Sequence, residues 1–196
     1  MNPQLLLVSA IGDAQGARGA AGALACAAST AEHAALLIDL GARQPRPTLI
    51  SSAAASALEA KLAATLHDST AAARGQLCHL ALALDHRGLA AAAFVRASLP
   101  EATLVIHLPH GLLADALRLG VLRPDGVLLR ADLECNRSLA AETIRQLVRD
   151  DLPVAILNHR LNWVAERRAL FGVLATDAPG ALPAEVVNRL LGRSLV

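Results

Sequence analysis

Residues 5–29 have the sequence LLLVSAIGDAQGARGAAGALACAAS, in which an apolar run is followed by a turn with glycines and then by an alanine-rich segment. An uninterrupted apolar run is typical of a strand that is covered on both faces, as in a parallel sheet. Alanine has the highest helix propensity, and we predict a helix over Arg18–Ser29. The stretch therefore predicts a strand, a glycine-containing loop and a helix, which is the opening unit of an α/β domain.

The same alternation of apolar runs and helical segments continues along the chain. It implies right-handed crossovers between parallel strands, and it predicts an α/β fold with three layers, doubly wound, around a mainly parallel sheet of about seven strands. We predict strands at Leu5–Ser9, Ala35–Leu40, Gln76–Leu82, Thr103–Leu108, Gly126–Arg130, Pro153–Leu157 and Leu170–Ala175. We predict helices at Arg18–Ser29, Ala53–Leu66, Gly88–Leu99, Leu112–Leu119, Ser138–Arg149, Leu161–Ala169 and Ala184–Leu191, and a stiff loop at Ala42–Pro47.

Length and composition are those of a globular protein. The 196 residues fit a single domain over residues 1–196. With 54% hydrophobic and 18% charged residues the composition excludes intrinsic disorder, and a formal net charge of +1 with 2% aromatic residues provides no general attraction to nucleic acid. Three widely separated cysteines, Cys26, Cys78 and Cys135, predict buried thiols in a reducing cytosol. We therefore expect a cytoplasmic protein with no transmembrane segment and no nucleic-acid partner.

The turn after the first predicted strand contains Gly12, Gly16 and Gly19. Glycine allows backbone N–H groups to approach an anion, and a helix N-terminus adds partial positive charge, so the turn is a candidate phosphate cradle with Arg18 as its cation. In the register of a Walker A loop, G-x-x-x-x-G-K-[ST], Arg18 stands at the lysine and Gly19 at the hydroxyl residue. Mg-dependent hydrolysis normally uses that lysine and hydroxyl, so it is not expected here. The alternative is a tight turn kept for packing.

Polar residues follow other predicted strands, at the edge of the sheet where ligands bind in such folds. Asp39 is suited to hold a ribose hydroxyl, to orient water or a metal ion, or to cap a turn. His107 and His110 have no carboxylate or thiol near them in sequence, and we expect a packed or hydrogen-bonded pair rather than a zinc site. Asn158 is suited to pair with a base edge or to form a turn. Arg130 either attracts an anion or lies in solvent.

Together these segments resemble the ParA/MinD-type P-loop ATPases, and within that group the CpaE/TadZ-like proteins of Flp (Tad-type) pilus assembly. The resemblance covers nearly the whole chain and implies a P-loop NTPase-like fold. Leu5–Ser29 resembles the family's G-K-G-G-x-G-K-T-T segment, and Ala35–Leu40 (ALLIDL) resembles the strand that ends in D-x-D. Leu104–Gly111 (LVIHLPHG) is similar to the Walker-B-like strand D-x-P-P-G, and Ile156–Arg160 (ILNHR) to the strand that ends in N-x-[KR].

The charged motif residues of that family are largely replaced. Asp13 stands at the signature lysine, Arg18 at the Walker lysine, and Gly19-Ala20 at the two threonines. Gly41 replaces the second aspartate and His107 the Walker B aspartate. The resemblance therefore implies no catalytic residue and no metal ligand, and ATP or ADP remains only a candidate ligand. The positions that would contact a bound nucleotide are Gly12, Asp13, Gln15, Gly16, Ala17, Arg18, Gly19, Asp39 and Asn158.

Three functions stay open at the level of sequence. The resemblance implies a pseudo-ATPase that acts by protein–protein interaction, with pilus-assembly components or a second copy as candidate partners, at the cell pole or at the inner face of the membrane. A second possibility is a nucleotide- or dinucleotide-binding enzyme that uses the Gly12–Gly19 loop and Asp39. A third is a scaffold whose glycine turn binds nothing. The amphipathic C-terminal stretch around Val186 and Leu190 either packs on the sheet or contacts a membrane or partner.

Overall fold

The structure of the chain is a computed structural model. It describes residues 4–29, 34–41, 47–49, 89, 92–93, 95–97, 99–120, 122–131, 137–149, 152–158, 174–176 and 182–192. The strands are β1 (Leu5–Ile11), β2 (Ala35–Asp39), β3 (Pro47–Leu49), β4 (Thr103–His107), β5 (Gly126–Ala131), β6 (Val154–Asn158) and β7 (Leu174–Thr176). The helices are α1 (Ala14–Ala28), α2 (His110–Leu119), α3 (Arg137–Arg149) and α4 (Ala184–Leu190), and the described residues within 89–97 are also helical.

Five parallel strands form the body of the sheet, in the order β2-β4-β1-β5-β6. A three-residue strand pairs at each edge: β3 is antiparallel to β2, and β7 is parallel to β6. The predicted α/β class with a mainly parallel sheet is confirmed. The sheet reaches the predicted number of about seven strands only when the three-residue strands β3 and β7 are counted, and five strands form its parallel body. Pro47 lacks the N–H that a central strand would donate, which is consistent with the place of β3 at an edge.

Side chains of the central strands alternate between two apolar clusters on opposite faces of the sheet. In β1, Leu5 and Leu7 belong to one cluster, which also contains residues of α2, of α3 and of the helical segment within 89–97. Leu6 and Val8 belong to the other cluster, together with residues of α1 and α4. Burial on both faces explains why these strands are continuously apolar. The sheet is therefore flanked by helices on both sides, as predicted.

Several predicted segments need correction, and others lie outside the described residues. The helix predicted from Arg18 begins at Ala14, and Pro47, assigned to a loop, begins β3. Cys26 is exposed rather than buried. The predicted elements Ala53–Leu66, Gln76–Leu82 and Leu161–Ala169, together with Cys78 and Cys135, fall outside the described ranges. The extent of a single domain over residues 1–196 stays a prediction.

The C-terminal helix packs on the sheet. Val186 and Leu190 of α4 are buried in the same cluster as Leu6 and Val8. The described residues of this amphipathic stretch therefore pack on the sheet, which is the first of the two predicted alternatives. Among the helices within the described ranges, none has the length and apolarity needed to span a bilayer.

The topology places a crevice at the carboxyl end of β1. This strand has β4 and β5 as its neighbours. The helix that follows β1 packs on one face of the sheet, and the helices that follow β4 and β5 pack on the other. Where consecutive helices leave to opposite faces, the loops separate, and ligands of open α/β sheets bind in the resulting crevice. The residues that end β1, β4 and β5 therefore define the candidate site.

The contribution of core burial to stability can be tested with two leucines of one helix. Leu147 of α3 is fully buried, whereas Leu139 of the same helix is 43% exposed. We expect Leu147→Ala to lower the free energy of unfolding by about 2–5 kcal/mol, because it leaves a cavity in a packed core. Leu139→Ala should cost less than about 0.5 kcal/mol. Urea unfolding followed by circular dichroism measures both, and equal losses would contradict the packing of α3 on the sheet.

Candidate functional site

The connection between β1 and α1 consists of two residues, Gly12 and Asp13. Gly12 has a φ of 96°, in the left-handed region that only glycine adopts readily. The turn is therefore much shorter than the loop predicted over residues 12–19, and Gly16 and Gly19 lie inside α1.

Asp13 caps the N-terminus of α1. The N–H of Gly16 donates to its Oδ1 at 2.8 Å, and the N–H of Ala17 donates to its main-chain oxygen at 3.1 Å. Aspartate is favoured at this position because it satisfies an N–H that has no partner in the helix, and because its negative charge lies at the positive end of the helix dipole. This cap explains why the helix begins four residues before the predicted boundary.

The cap also engages one of the amides that a phosphate cradle would use, the N–H of Gly16. The N–H groups of Gly16 and Ala17 are bonded to Asp13. Further along α1, amides bond to carbonyls four residues back, as in any α-helix. Within the helix, Ala17 is buried against the sheet, whereas Gln15 and Gly19 face solvent. The predicted nucleotide contacts within residues 12–19 therefore lie on a short turn and a capped helix start rather than on an open loop.

The second oxygen of Asp13 binds an arginine from the sheet. The Nε of Arg130 donates to Oδ2 of Asp13 at 2.6 Å. Arg130 lies in β5 opposite Ala10 of β1, and its side chain is only 12% exposed. The interpretation of Arg130 as a solvated surface residue is therefore wrong. Its partner is an anion, but that anion belongs to the chain.

A second group of polar residues surrounds Asp39 at the end of β2. The Nε of Arg18 donates to Oδ2 of Asp39 at 2.6 Å. The Nδ1 of His107 lies 2.6 Å from Oδ1, and the N–H of Gly41 donates to the same oxygen at 2.9 Å. Asp39 and His107 are direct partners in the β2–β4 register. Both carboxylate oxygens are thus engaged within the chain, and Arg18 points to Asp39 instead of to the turn.

The surroundings of Asp39 favour its ionised form. Burial alone would raise the pKa of this carboxyl. The hydrogen bond and charge of His107, the Gly41 N–H and the charge of Arg18 outweigh that effect, so the pKa of Asp39 lies below its usual value of 3.8. A carboxylate held ionised in this way stabilises the folded state at neutral pH.

Two glycines make room for these contacts. A Cβ built on Gly16 would collide with the guanidinium of Arg130 and with the carboxylate of Asp13. A Cβ on Gly41 would lie 2.9 Å from Cε1 of His107 and 3.2 Å from Oδ1 of Asp39. At Gly19, by contrast, a Cβ would meet nothing within 4 Å. Glycine at positions 16 and 41 is therefore needed for packing against internal polar groups.

The two histidines are hydrogen-bonded, but to different elements rather than to each other. His107 contacts Asp39, and Nε2 of His110 lies 2.8 Å from Oγ1 of Thr143 in α3. That hydroxyl donates to the Leu139 carbonyl, so the histidine nitrogen is the donor. Burial lowers the pKa of His110, which favours the neutral ring. Within the described ranges, His, Cys, Asp and Glu side chains form no group of three that could hold a metal ion.

The structure brings together some of the predicted site residues and adds two others. Gly12, Asp13, Gly16, Arg18 and Asp39 all lie at the carboxyl end of the sheet. Asn158 ends β6 at the same edge, opposite Ala131, and its side chain is outside the described residues. His107 and Arg130, which the sequence analysis singled out without assigning them to the nucleotide contacts, are the direct partners of the two carboxylates. The sequence places these residues at the ends of strands, but only the order of the strands in the sheet shows which of them are neighbours.

The fit at Gly16 predicts opposite effects for two identical substitutions in α1. Gly16→Ala should lower the free energy of unfolding by about 1–2 kcal/mol, because its methyl group displaces the partly buried Arg130–Asp13 pair and this loss exceeds the gain in helix propensity. Gly19→Ala should raise it by about 0.5–1 kcal/mol, since alanine is the better helix former and the space is open. Thermal and urea unfolding of both variants measure the difference. Equal stabilisation by both would contradict the described contact.

The lowered pKa of Asp39 predicts a pH-dependent contribution to stability. This contribution is fully present above the unfolded-state pKa of about 4, and it is lost as the pH falls through the lower folded-state pKa. We expect Asp39→Asn to be less stable than the wild type at pH 6, with a difference that shrinks below about pH 4. Urea unfolding across this range measures it, with Asp115→Asn in the exposed pair with Arg118 as the control. A pH-independent difference would contradict the prediction.

Comparisons of the chain with family models, with curated proteins and with solved structures find no match. What the site does must therefore be inferred from its own residues. The site has two main features: a helix N-terminus capped by the chain's own carboxylate, and a strand-end aspartate whose oxygens are both engaged.

Proposed function

We propose that this chain is a ParA/MinD-like domain that does not hydrolyse ATP and acts by binding protein partners. One observation carries the proposal: the N-terminus of α1, where a nucleotide phosphate would bind, holds the carboxylate of Asp13 with Arg130 as its counter-ion. Anions are attracted to this end of a helix. An internal anion already in contact with the amide and the guanidinium competes with a phosphate for the same donors.

The partners of the replaced motif residues also support a loss of hydrolysis. Phosphoryl transfer in P-loop enzymes depends on a lysine on the phosphates, a hydroxyl on Mg²⁺ and an aspartate near the metal. Arg18, at the lysine position, is paired with Asp39. His107, at the aspartate position, is also bonded to Asp39 and is nearly buried. These side chains stabilise one another and do not point to the turn after β1.

The same contacts weigh against a dinucleotide-binding enzyme. In that fold the second strand lies beside the first, and an acid at its end holds the ribose. Here β4 lies between β1 and β2, and both oxygens of Asp39 have partners in the chain. The dinucleotide alternative would need Asp39 to leave Arg18 and His107. Saturable binding of NAD(P) in the titration below would favour this alternative.

The partners and the location belong to the proposal. The resemblance favours components of Flp/Tad pilus assembly or a second copy of the chain as partners, in the cytoplasm or at the inner face of the membrane. A net charge of +1 provides no long-range attraction to a strongly charged partner. Shape and local contacts would then select the partner, and the pairing would not require nucleotide.

Nucleotide binding and turnover test this proposal directly. We expect no binding heat when MgATP, ADP or NAD(P) is titrated into the full chain at millimolar concentration, and no phosphate release above that of buffer. Light scattering should give the same mass with and without MgATP. Turnover that disappears in the Arg18→Ala variant would overturn the pseudo-ATPase proposal, and saturable binding of NAD(P) would favour the dinucleotide alternative.

A further inference from the structure

Two ion pairs hold the start of α1 from opposite sides of β1, and we call them the α1 clamp. Asp13, the N-cap residue, pairs with Arg130 on β5, and Arg18, one turn later, pairs with Asp39 on β2. In the sheet order β2-β4-β1-β5, these two strands lie on either side of β1. A shift of α1 toward one strand would therefore stretch the pair on the other.

The sheet side of the clamp is more buried than the helix side. The side chains of Arg130 and Asp39 are 12% and 15% exposed, whereas those of Asp13 and Arg18 are 33% and 50% exposed. A mostly buried ion that loses its partner keeps its desolvation penalty without compensation. The strand charges therefore favour the position of α1 in which both partners are present. The partners on the helix keep part of their hydration.

The helix backbone fits closely against one of these pairs. The absence of a side chain at Gly16 lets the guanidinium of Arg130 and the carboxylate of Asp13 meet against α1. Below the helix, Ala17, Ala21 and Leu24 pack on the sheet. Apolar packing along the helix and charge pairing at its start thus restrain α1 together.

We propose that the α1 clamp holds this helix in one position whether or not nucleotide is present, so that the partner-binding state of the domain is constitutive. The inference rests on the proposed function, because a domain that did bind a phosphate at the N-terminus of α1 would obtain the same restraint from its ligand. Here the restraint comes from side chains, and it cannot be released by hydrolysis.

Hydrogen exchange at the α1 amides tests the clamp in the full chain. Arg130→Gln and Arg18→Gln each remove one pair, and we expect exchange of the α1 amides to become at least about tenfold faster in each, with a larger effect in the double variant. Arg118→Gln is the control, since it breaks an exposed pair on α2 in which the arginine is 72% exposed. It should leave α1 exchange unchanged. MgATP and inorganic phosphate should leave α1 exchange in the wild type unchanged.

The outcomes separate the clamp from the proposed function. Wild-type exchange rates in both arginine variants would overturn the clamp and leave the pseudo-ATPase proposal intact. Slower α1 exchange in the wild type on addition of MgATP would overturn the clamp, and the turnover assay would then decide the proposed function independently. If Arg130→Gln does not fold, Asp13→Asn keeps an acceptor for the Gly16 N–H but removes the charge. Faster α1 exchange in that variant supports the clamp, and unchanged exchange overturns it.

Discussion

The carboxylate of Asp13 at the N-terminus of α1 ties the start of this helix to the sheet. It accepts the Gly16 N–H and binds the Arg130 guanidinium, so the positive end of the helix and a nearly buried cation share one anion. Because this anion is tethered three residues from the amide it binds, its effective concentration at the site is high. A free phosphate would have to displace it and leave the carboxylate without these donors. The residue at position 13 thus affects both where the helix starts and whether the Gly16 amide is accessible.

The charged side chains at the carboxyl end of the sheet are compatible with one another. An aspartate at position 107 would repel Asp39, its direct partner in the β2–β4 register, whereas the histidine there contacts Asp39 through Nδ1 at 2.6 Å. A lysine at position 13 would repel Arg130 and oppose the helix dipole. Asp13 instead pairs with Arg130 and places a negative charge at the positive end of the dipole. Arg18 pairs with Asp39 and Arg130 with Asp13, so each of these two carboxylates has a guanidinium partner. Replacing one partner alone would leave the mostly buried Arg130 or Asp39 without its counter-charge.

The sequence predicted the sheet better than the site, for a physical reason. Strands buried on both faces leave continuous apolar runs, so β1, β2, β4, β5 and β6 were predicted close to their bounds. The three-residue strand β3 leaves no such signal. The turn was misjudged because glycine marks loops, ligand contacts and close packing alike, and only the Asp13 cap distinguishes them. The Arg130–Asp13 contact joins residues 117 positions apart, and no local pattern predicts it without the strand order.

Gly12, Gly16 and Gly19 illustrate this ambiguity. Gly12 is required by its φ of 96°, and Gly16 by the ion pair packed against it, whereas Gly19 has open space where its Cβ would be. A Walker-type phosphate cradle would have its second glycine at position 17, where this chain has alanine, and a hydroxyl residue at position 19, where it has glycine. Here the backbone conformation of the turn explains Gly12 and an ion pair of the chain explains Gly16, whereas Gly19 faces solvent. The glycine pattern therefore reflects how β1 connects to α1 and how the start of α1 packs against the Arg130–Asp13 pair.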